Sequence, residues 1–469
     1  MKKTIFYSIF AIAVALAYFN QPLLACAAVA IYALLFFAGF AGDAEEKAWM
    51  FCLLPIVLYY AADNTLLHHY EIHNIWSKVV HILPTAGALL AIMLLGAIAV
   101  PIIITRLDDL ERVLIKVFGE KIGTLLTLTV GSLSANILGL AAGESLAKFV
   151  KAKMKDPNKY ADVALATATS LGPGQALIAY AAAAVAIVWP MMNELGIDFT
   201  KYALLMYPSL IIGAMLPWLP VLKHLKPSKV IKNKASFLQN FALILLIVCM
   251  GLAIWNVNHI AAIIISCIGI VFGLMMKYHH IQNHNKQHSQ DIHTFWSFHS
   301  NKEVAIALLF VGIDLTGMFA SHAFSALFVG LSTVFTGFIG IAILAALFSA
   351  LATSFSDNAL ATVVGVPSVI SAGSQMGLSG DQIAFLVCLL VLCAVLFGLL
   401  FPASNLINLP VKTALFSKRE GKLDEIAALE IAEWSKASGK YYLIACVPVI
   451  VYIINCKIQG IIWKRHFRE

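Results

Sequence analysis

Apolar residues run along this chain in long blocks separated by short polar stretches rich in lysine. A helix that crosses a bilayer needs about 20 consecutive apolar residues. Blocks of that kind fall near 4–19, 22–40, 49–62, 83–105, 160–189, 202–222, 237–256, 259–277, 302–320, 383–411 and 441–462. Two further apolar stretches, 122–148 and 337–375, are interrupted near their middles by polar clusters, and the first is too short to cross twice as complete helices. The opening block follows Lys2 and Lys3 and has the outline of a signal peptide cleaved near Cys26. A second apolar block follows almost at once, so it reads instead as an uncleaved first helix.

Lysine placement orients these blocks, because loops rich in Lys and Arg stay in the cytoplasm. Loop 148–159 carries Lys148, Lys151, Lys153, Lys155 and Lys159, and loop 223–234 carries Lys223, Lys226, Lys229, Lys232 and Lys234. With both loops inside, Arg106–Lys121 is also inside, so segment 122–148 leaves the cytoplasm and returns to it. That makes it a re-entrant hairpin with its turn near Ser134-Ala135-Asn136. Segment 337–375 lies between a block that exits and one that returns, so it is a hairpin entered from outside, turning near Ser356-Asp357-Asn358. Residues near 321–336 then face outward, and stretch 412–440 reads as an interfacial amphipathic helix. The C-terminal Lys464, Arg465 and Arg468 fall outside, against the charge rule.

The expected fold is an all-α polytopic membrane protein, with about 11 transmembrane helices and two re-entrant hairpins in two inverted repeats. Residues 1–79 hold N-terminal transmembrane helices, and 80–236 form the first repeat with hairpin 122–148. Residues 237–301 are linking helices with a His-rich loop, and 302–469 form the second repeat with hairpin 337–375.

Composition agrees with that reading. Hydrophobic residues make up 61% of the chain and charged residues 12%, with a mean hydropathy of +0.86; a soluble domain carries about 25% charged residues. The expected partner is the lipid bilayer of a bacterial inner membrane, crossed many times. The net charge of +7 is spread over loops and calls for no nucleic-acid partner. None of the eight cysteines forms a CxxC pair, and no phosphate loop, HExxH motif or nucleophile–base pattern appears. An enzyme reading therefore lacks support, and no cofactor is expected.

Candidate chemistry sits where polar residues interrupt apolar runs. In FSALATSFSDNALATVVGVPSV, residues 348–369, the residues Thr353, Ser354, Ser356, Asp357 and Asn358 break a run otherwise fit for the membrane. An ionised carboxylate at membrane depth costs roughly 3 kcal/mol, and it persists where it pairs or lines a cavity. Hydroxyl and amide oxygens beside it suit hard cations. A polar loop lying in water is the plainer alternative. In VGSLSANILGLAAGESLAKF, residues 130–149, Ser132, Ser134 and Asn136 match Ser354, Ser356 and Asn358 in order and spacing, while Ala135 replaces Asp357.

Each hairpin is followed by a broken span. The first holds Gly172, Pro173, Gly174 and Gln175; the second holds Pro402, Ser404, Asn405, Asn408 and Pro410. Proline interrupts the hydrogen-bond ladder and bares carbonyls, which in transporters line ion sites; a mere kink is the alternative for each. Asp314 lies twelve residues into its span and is a candidate proton-coupling residue or a structural ion-pair partner of His322 or a lysine. Glu144, one turn from Lys148, reads as half of a solvated pair. The linker's His279, His280, His284, His288, His293 and His299 either sense pH or only connect the halves.

At these residues the chain resembles the ion transporter superfamily, which includes NhaD-type sodium/proton antiporters, arsenite carriers and dicarboxylate carriers. The SDNA at 356–359 is similar to the acidic tip of the antiporter branch. PASNLINLPVKTALF, followed by EWSKASGKYYLI, resembles the broken span and Trp-bearing helix of putative antiporters in that group. Dicarboxylate carriers carry Ser-Asn-Thr at both tips, whereas the tips here are SAN and SDN.

The resemblance implies that Asp357 binds sodium or a proton alternately, with Ser356, Asn358, Asn405 and Asn136 as neutral ligands. Sodium, a hypothesised metal at Asp357 and Asn358, and the proton are then the transported species. The full candidate ion-binding set is Asp357, Ser356, Asn358, Ser354, Asn136, Ser134, Asn405, Ser404, Asn408, Gly174 and Gln175, with small inorganic ions as partners. Superfamily members are often homodimers. The function expected is sodium/proton antiport; the alternatives are a sodium-coupled anion or carboxylate carrier and a non-transporting membrane scaffold.

Overall fold

The computed structural model describes residues 107–137, 140–156, 159–177, 188–227, 259–282, 337–355, 358–400 and 423–460, with isolated positions elsewhere. Two compact units divide the chain: Met1–Ala99 with Ala235–Phe319, and Val100–Lys234 with Ala320–Glu469. The described residues are helical and form no strand; an isolated antiparallel bridge joins Met154 to Leu225.

In the second unit the first group of helices is α1 (Leu107–Phe118), α2 (Glu120–Ile137), α3 (Leu140–Lys153), α4 (Tyr160–Leu171), α5 (Trp189–Glu194) and α6 (Phe199–Met215). The first unit contributes α7 (His259–Gln282), whose Gly269 packs on Leu95 and Cys249. The second unit continues with α8 (Gly337–Phe355), α9 (Asn358–Gln375), α10 (Gly380–Leu396) and α11 (Leu423–Ile458).

Local signals explain several boundaries. Asp198 caps α6 by accepting from the Lys201 backbone N–H at 2.7 Å. Ser379 and Gln382 form a reciprocal capping box at the start of α10, satisfying two of the amides a helix start leaves open. Gly377 adopts φ 68°, in the left-handed region, and turns the chain between α9 and α10; a side chain would strain that conformation.

Among the described residues, three segments are long and apolar enough to cross a membrane: Phe199–Trp218, Gly337–Ser354 and Glu433–Ile458. Their surfaces suit lipid. Along α8, Ile339, Ile343, Leu347 and Leu351 recur every fourth residue and are exposed, while Ser349, Thr353 and Ser354 are buried. Apolar outside and hydroxyl inside is what a bilayer demands and water forbids. The buried hydroxyls bond to α10: Ser349 Oγ donates to the Leu390 carbonyl at 2.7 Å and Thr353 Oγ1 to that of Ala394 at 3.1 Å. Equal offsets at both contacts make α8 and α10 parallel, and α9, which connects them, packs against both.

The two lysine-rich loops meet. Lys155 donates its backbone N–H to His224 at 2.8 Å, and Lys226 donates to the Lys153 carbonyl at 2.7 Å. At the other end of α6, Lys201 pairs with Asp381 at 2.8 Å, and Asn455 and Gln459 donate to the Leu204 carbonyl.

Two boundaries differ from expectation. The first hairpin's turn was expected at 134–136, but α2 continues through those residues to Ile137. Nothing in Ser-Ala-Asn forbids helix. The interfacial helix expected at 412–440 and the span from 441 are, from Leu423 onward, one continuous helix. Gly439 meets no neighbour there, and Ser438 bonds within the helix, so the ladder is not broken. The interruption expected near Ser356-Asp357-Asn358 falls where α8 ends at Phe355 and α9 begins at Asn358.

Candidate functional site

The site is built around two helix interruptions that touch. After Leu171 the helix tightens into a 3-10 segment, Gly172–Ala176, and all five of its residues are buried. Helix α10 stops at Leu396 with Phe397 as its cap. Gly172 lies directly against Val395: a Cβ built on it would stand 2.1 Å from the Val395 carbonyl oxygen. Gly213 of α6 opens space for Pro173, Leu396 and Pro448 to close around it, each 3.0–3.3 Å from where a Cβ would be.

Breaking a helix bares backbone groups, and buried ones must find partners. Here the carbonyls find side-chain donors. Tyr202 and Tyr207 of α6 donate to Ala176 and Leu177 at 2.6 and 2.9 Å. At the second break, Ser354 lies 3.0 Å from the Phe397 carbonyl and Asn408 Nδ2 donates to Gly398 at 2.7 Å. Trp434 Nε1 reaches Leu399 at 2.8 Å, and Ser435 Oγ reaches Leu400 at 2.9 Å. Carbonyls 397 through 400 are thus each engaged. Asn408 closes the break, and the Trp-bearing segment of α11 completes it.

The second hairpin also reaches the first break. Asn358, the first residue of α9, donates its side-chain amide to Oε1 of Gln175 in the 3-10 segment. Both residues are buried at 6% exposure, and 183 positions separate them. Two amides bonded inside an apolar protein fix the hairpin's second arm to the first break.

The matched serines of the two hairpins share a bonding pattern. Ser132 Oγ lies 2.8 Å from the Leu128 carbonyl and accepts from Trp218 Nε1 at 3.1 Å. Ser354 Oγ lies 2.7 Å from the Ala350 carbonyl and 2.6 Å from the Tyr442 hydroxyl. Each serine sits over its own preceding turn and meets an aromatic polar group from a later element. Ser132 also contacts Ser170 Oγ at 2.9 Å, tying α2 to α4.

Of the expected site residues, Asn358, Gln175 and Gly174 gather at the first break, while Ser354 and Asn408 gather at the second. Ser134 is half-buried on α2, and Asn136 lies in the same helix's last turn. Ser356, Asp357, Ser404, Asn405 and Asp314 lie outside the described residues.

The sequence pattern did not single out an ion pair at the lysine-loop end. Glu111 of α1 and Lys153 of α3 pair with side chains 1% and 7% exposed, and Thr124 of α2 donates to the same carboxylate at 2.8 Å. Asp108 stands 3.5 Å from the Lys153 ammonium. Lys153, expected in a solvated loop, is instead buried. Tyr442, Trp218, Tyr202 and Tyr207 were also passed over; a hydroxyl or indole N–H on an apolar span was the available signal.

No protein-family model matches the chain, and no curated protein matches it.

Proposed function

We propose that this chain is a secondary active ion transporter of the bacterial inner membrane, exchanging sodium for protons by alternating access. In this reading about 11 helices and two re-entrant hairpins form two inverted repeats. The observation that carries it is the bond between Asn358 and Gln175. It joins the polar interruption of one half to that of the other, in a protein whose outward helix faces are apolar. Asp357 precedes Asn358 in the chain. One carboxylate at such a junction holds either a proton or a sodium ion, and that competition is exchange. Capped break carbonyls leave the work of coordination to side chains at the hairpin interruptions. The matched bonding of Ser132 and Ser354 supports two related halves.

The test is ion-induced proton movement in everted vesicles, with sodium, lithium, potassium and small carboxylates added in turn. Proton release on adding sodium supports the proposal. Carboxylate uptake driven by sodium, with no proton movement, would replace it with the anion-carrier reading.

A further inference from the structure

Tyr442 stands on α11, far in sequence from either hairpin, yet its hydroxyl is 2.6 Å from Ser354 Oγ. Its ring stacks on Phe397, the residue that ends α10, with centroids 5.8 Å apart and planes at 23°. Proton bookkeeping fixes the direction of the bond. Ser354 has one hydroxyl proton, and two carbonyls, Ala350 at 2.7 Å and Phe397 at 3.0 Å, can only accept it. With that proton given to a carbonyl, the serine must accept from Tyr442. The tyrosine's own proton is then directed at Ser354.

A chain therefore runs from the second break through Tyr442 to Ser354, three residues before Asp357 in sequence. Trp218 makes the corresponding contact to Ser132 in the other half, so the arrangement occurs twice. Ser354 accepts from the tyrosine and faces two carbonyls. Its oxygen is engaged in holding α8 and is poorly placed to be an ion ligand as well.

We infer that Tyr442 is a positioning residue for ion binding: by donating to Ser354 it holds the end of α8 against the second break, two residues before Ser356-Asp357 in sequence. This rests on the transport reading above. Tyr442 touches no ion; it acts through Ser354.

The test uses full-length protein in proteoliposomes, with Tyr442→Phe, Ser354→Ala and the double change. Tyr442→Phe keeps the ring stack on Phe397 and removes only the hydroxyl. It should raise the half-saturating sodium concentration about fivefold to tenfold, as for loss of one buried hydrogen bond. The rate at saturating sodium should stay within about twofold. Ser354→Ala should do the same, the double change should be no worse than either single one, and the sodium-to-lithium preference should not move.

Additive effects, or unchanged half-saturation in Tyr442→Phe, overturn the inference. So does a changed ion preference in Ser354→Ala alone, which would make Ser354 a ligand. If Tyr442→Phe fails to accumulate, Ser354→Ala reads the same contact without altering α11. A wild-type protein that moves no ion sinks the transport reading instead; the clamp is then judged by the same double-variant cycle in thermal unfolding, where additivity overturns it and coupling upholds it.

Discussion

Gly172 and Val395 meet backbone to backbone, so close that a single added carbon would stand 2.1 Å from the Val395 carbonyl oxygen. No side-chain rotation relieves a clash with a carbonyl in a helix's last turn. Gly172→Ala must push the two breaks apart, and overpacking of this kind costs about 1–3 kcal/mol or more. The variant should melt well below wild type in detergent. Gly380→Ala, where a Cβ meets nothing, should melt at the wild-type temperature. Equal midpoints for all three proteins would contradict the contact.

The amide pair is testable by replacing one partner and then both. Gln175→Leu removes the acceptor that Asn358 uses inside the protein, and an unsatisfied buried donor costs about 1–3 kcal/mol. Gln175→Leu/Asn358→Leu leaves two apolar groups and should recover much of the loss in melting temperature. Transport should not recover, since the hairpin interruption has lost its amide. Recovery of both would make the pair purely structural.

Glu111 and Lys153 invite the same logic at higher stakes. Removing one member of a buried ion pair costs about 3–5 kcal/mol, because the other charge is stranded. Lys153→Met or Glu111→Leu should sharply lower the melting temperature. The double apolar replacement should restore most of it. If each single variant is as stable as wild type, the pair is not buried as described.

Orientation is read by labelling single cysteines in intact cells with a membrane-impermeant thiol reagent. Lys153 is a poor reporter because it is buried, whereas Lys155 and Gly380 are exposed. The proposed topology predicts labelling at Gly380→Cys and none at Lys155→Cys until the membrane is opened. The reverse pattern inverts the protein.

What could be read from the sequence was local. Polar residues breaking an apolar run located the α8–α9 hairpin, because a bilayer leaves such residues few explanations. The same pattern misjudged the first hairpin: Ser134 and Asn136 are tolerated in the last turn of α2, and polarity alone does not end a helix. Gly172 and Pro173 flagged the first break, where α4 gives way to a 3-10 segment; at the second, α10 already ends at Leu396, and Pro402 and Pro410 lie outside the described residues. The donors that cap carbonyls 397 to 400 come from Ser354, Asn408, Trp434 and Ser435, positions that only tertiary packing brings together. Lys153 read as one of five lysines in a loop, and nothing in the sequence singled out Glu111, 42 residues away. Periodicity reports which way a residue faces, not what it meets there.

Sodium-driven proton movement by purified protein in proteoliposomes, with Asp357→Asn beside wild type, tests the account most directly. The substitution keeps the size and hydrogen-bonding capacity of the side chain but removes the charge for which, in the proposed mechanism, proton and sodium compete. Wild type should release protons on adding sodium. Asp357→Asn should give no exchange while melting near the wild-type temperature. Exchange at the wild-type rate in Asp357→Asn, or no proton movement with sodium in the wild type, would contradict it.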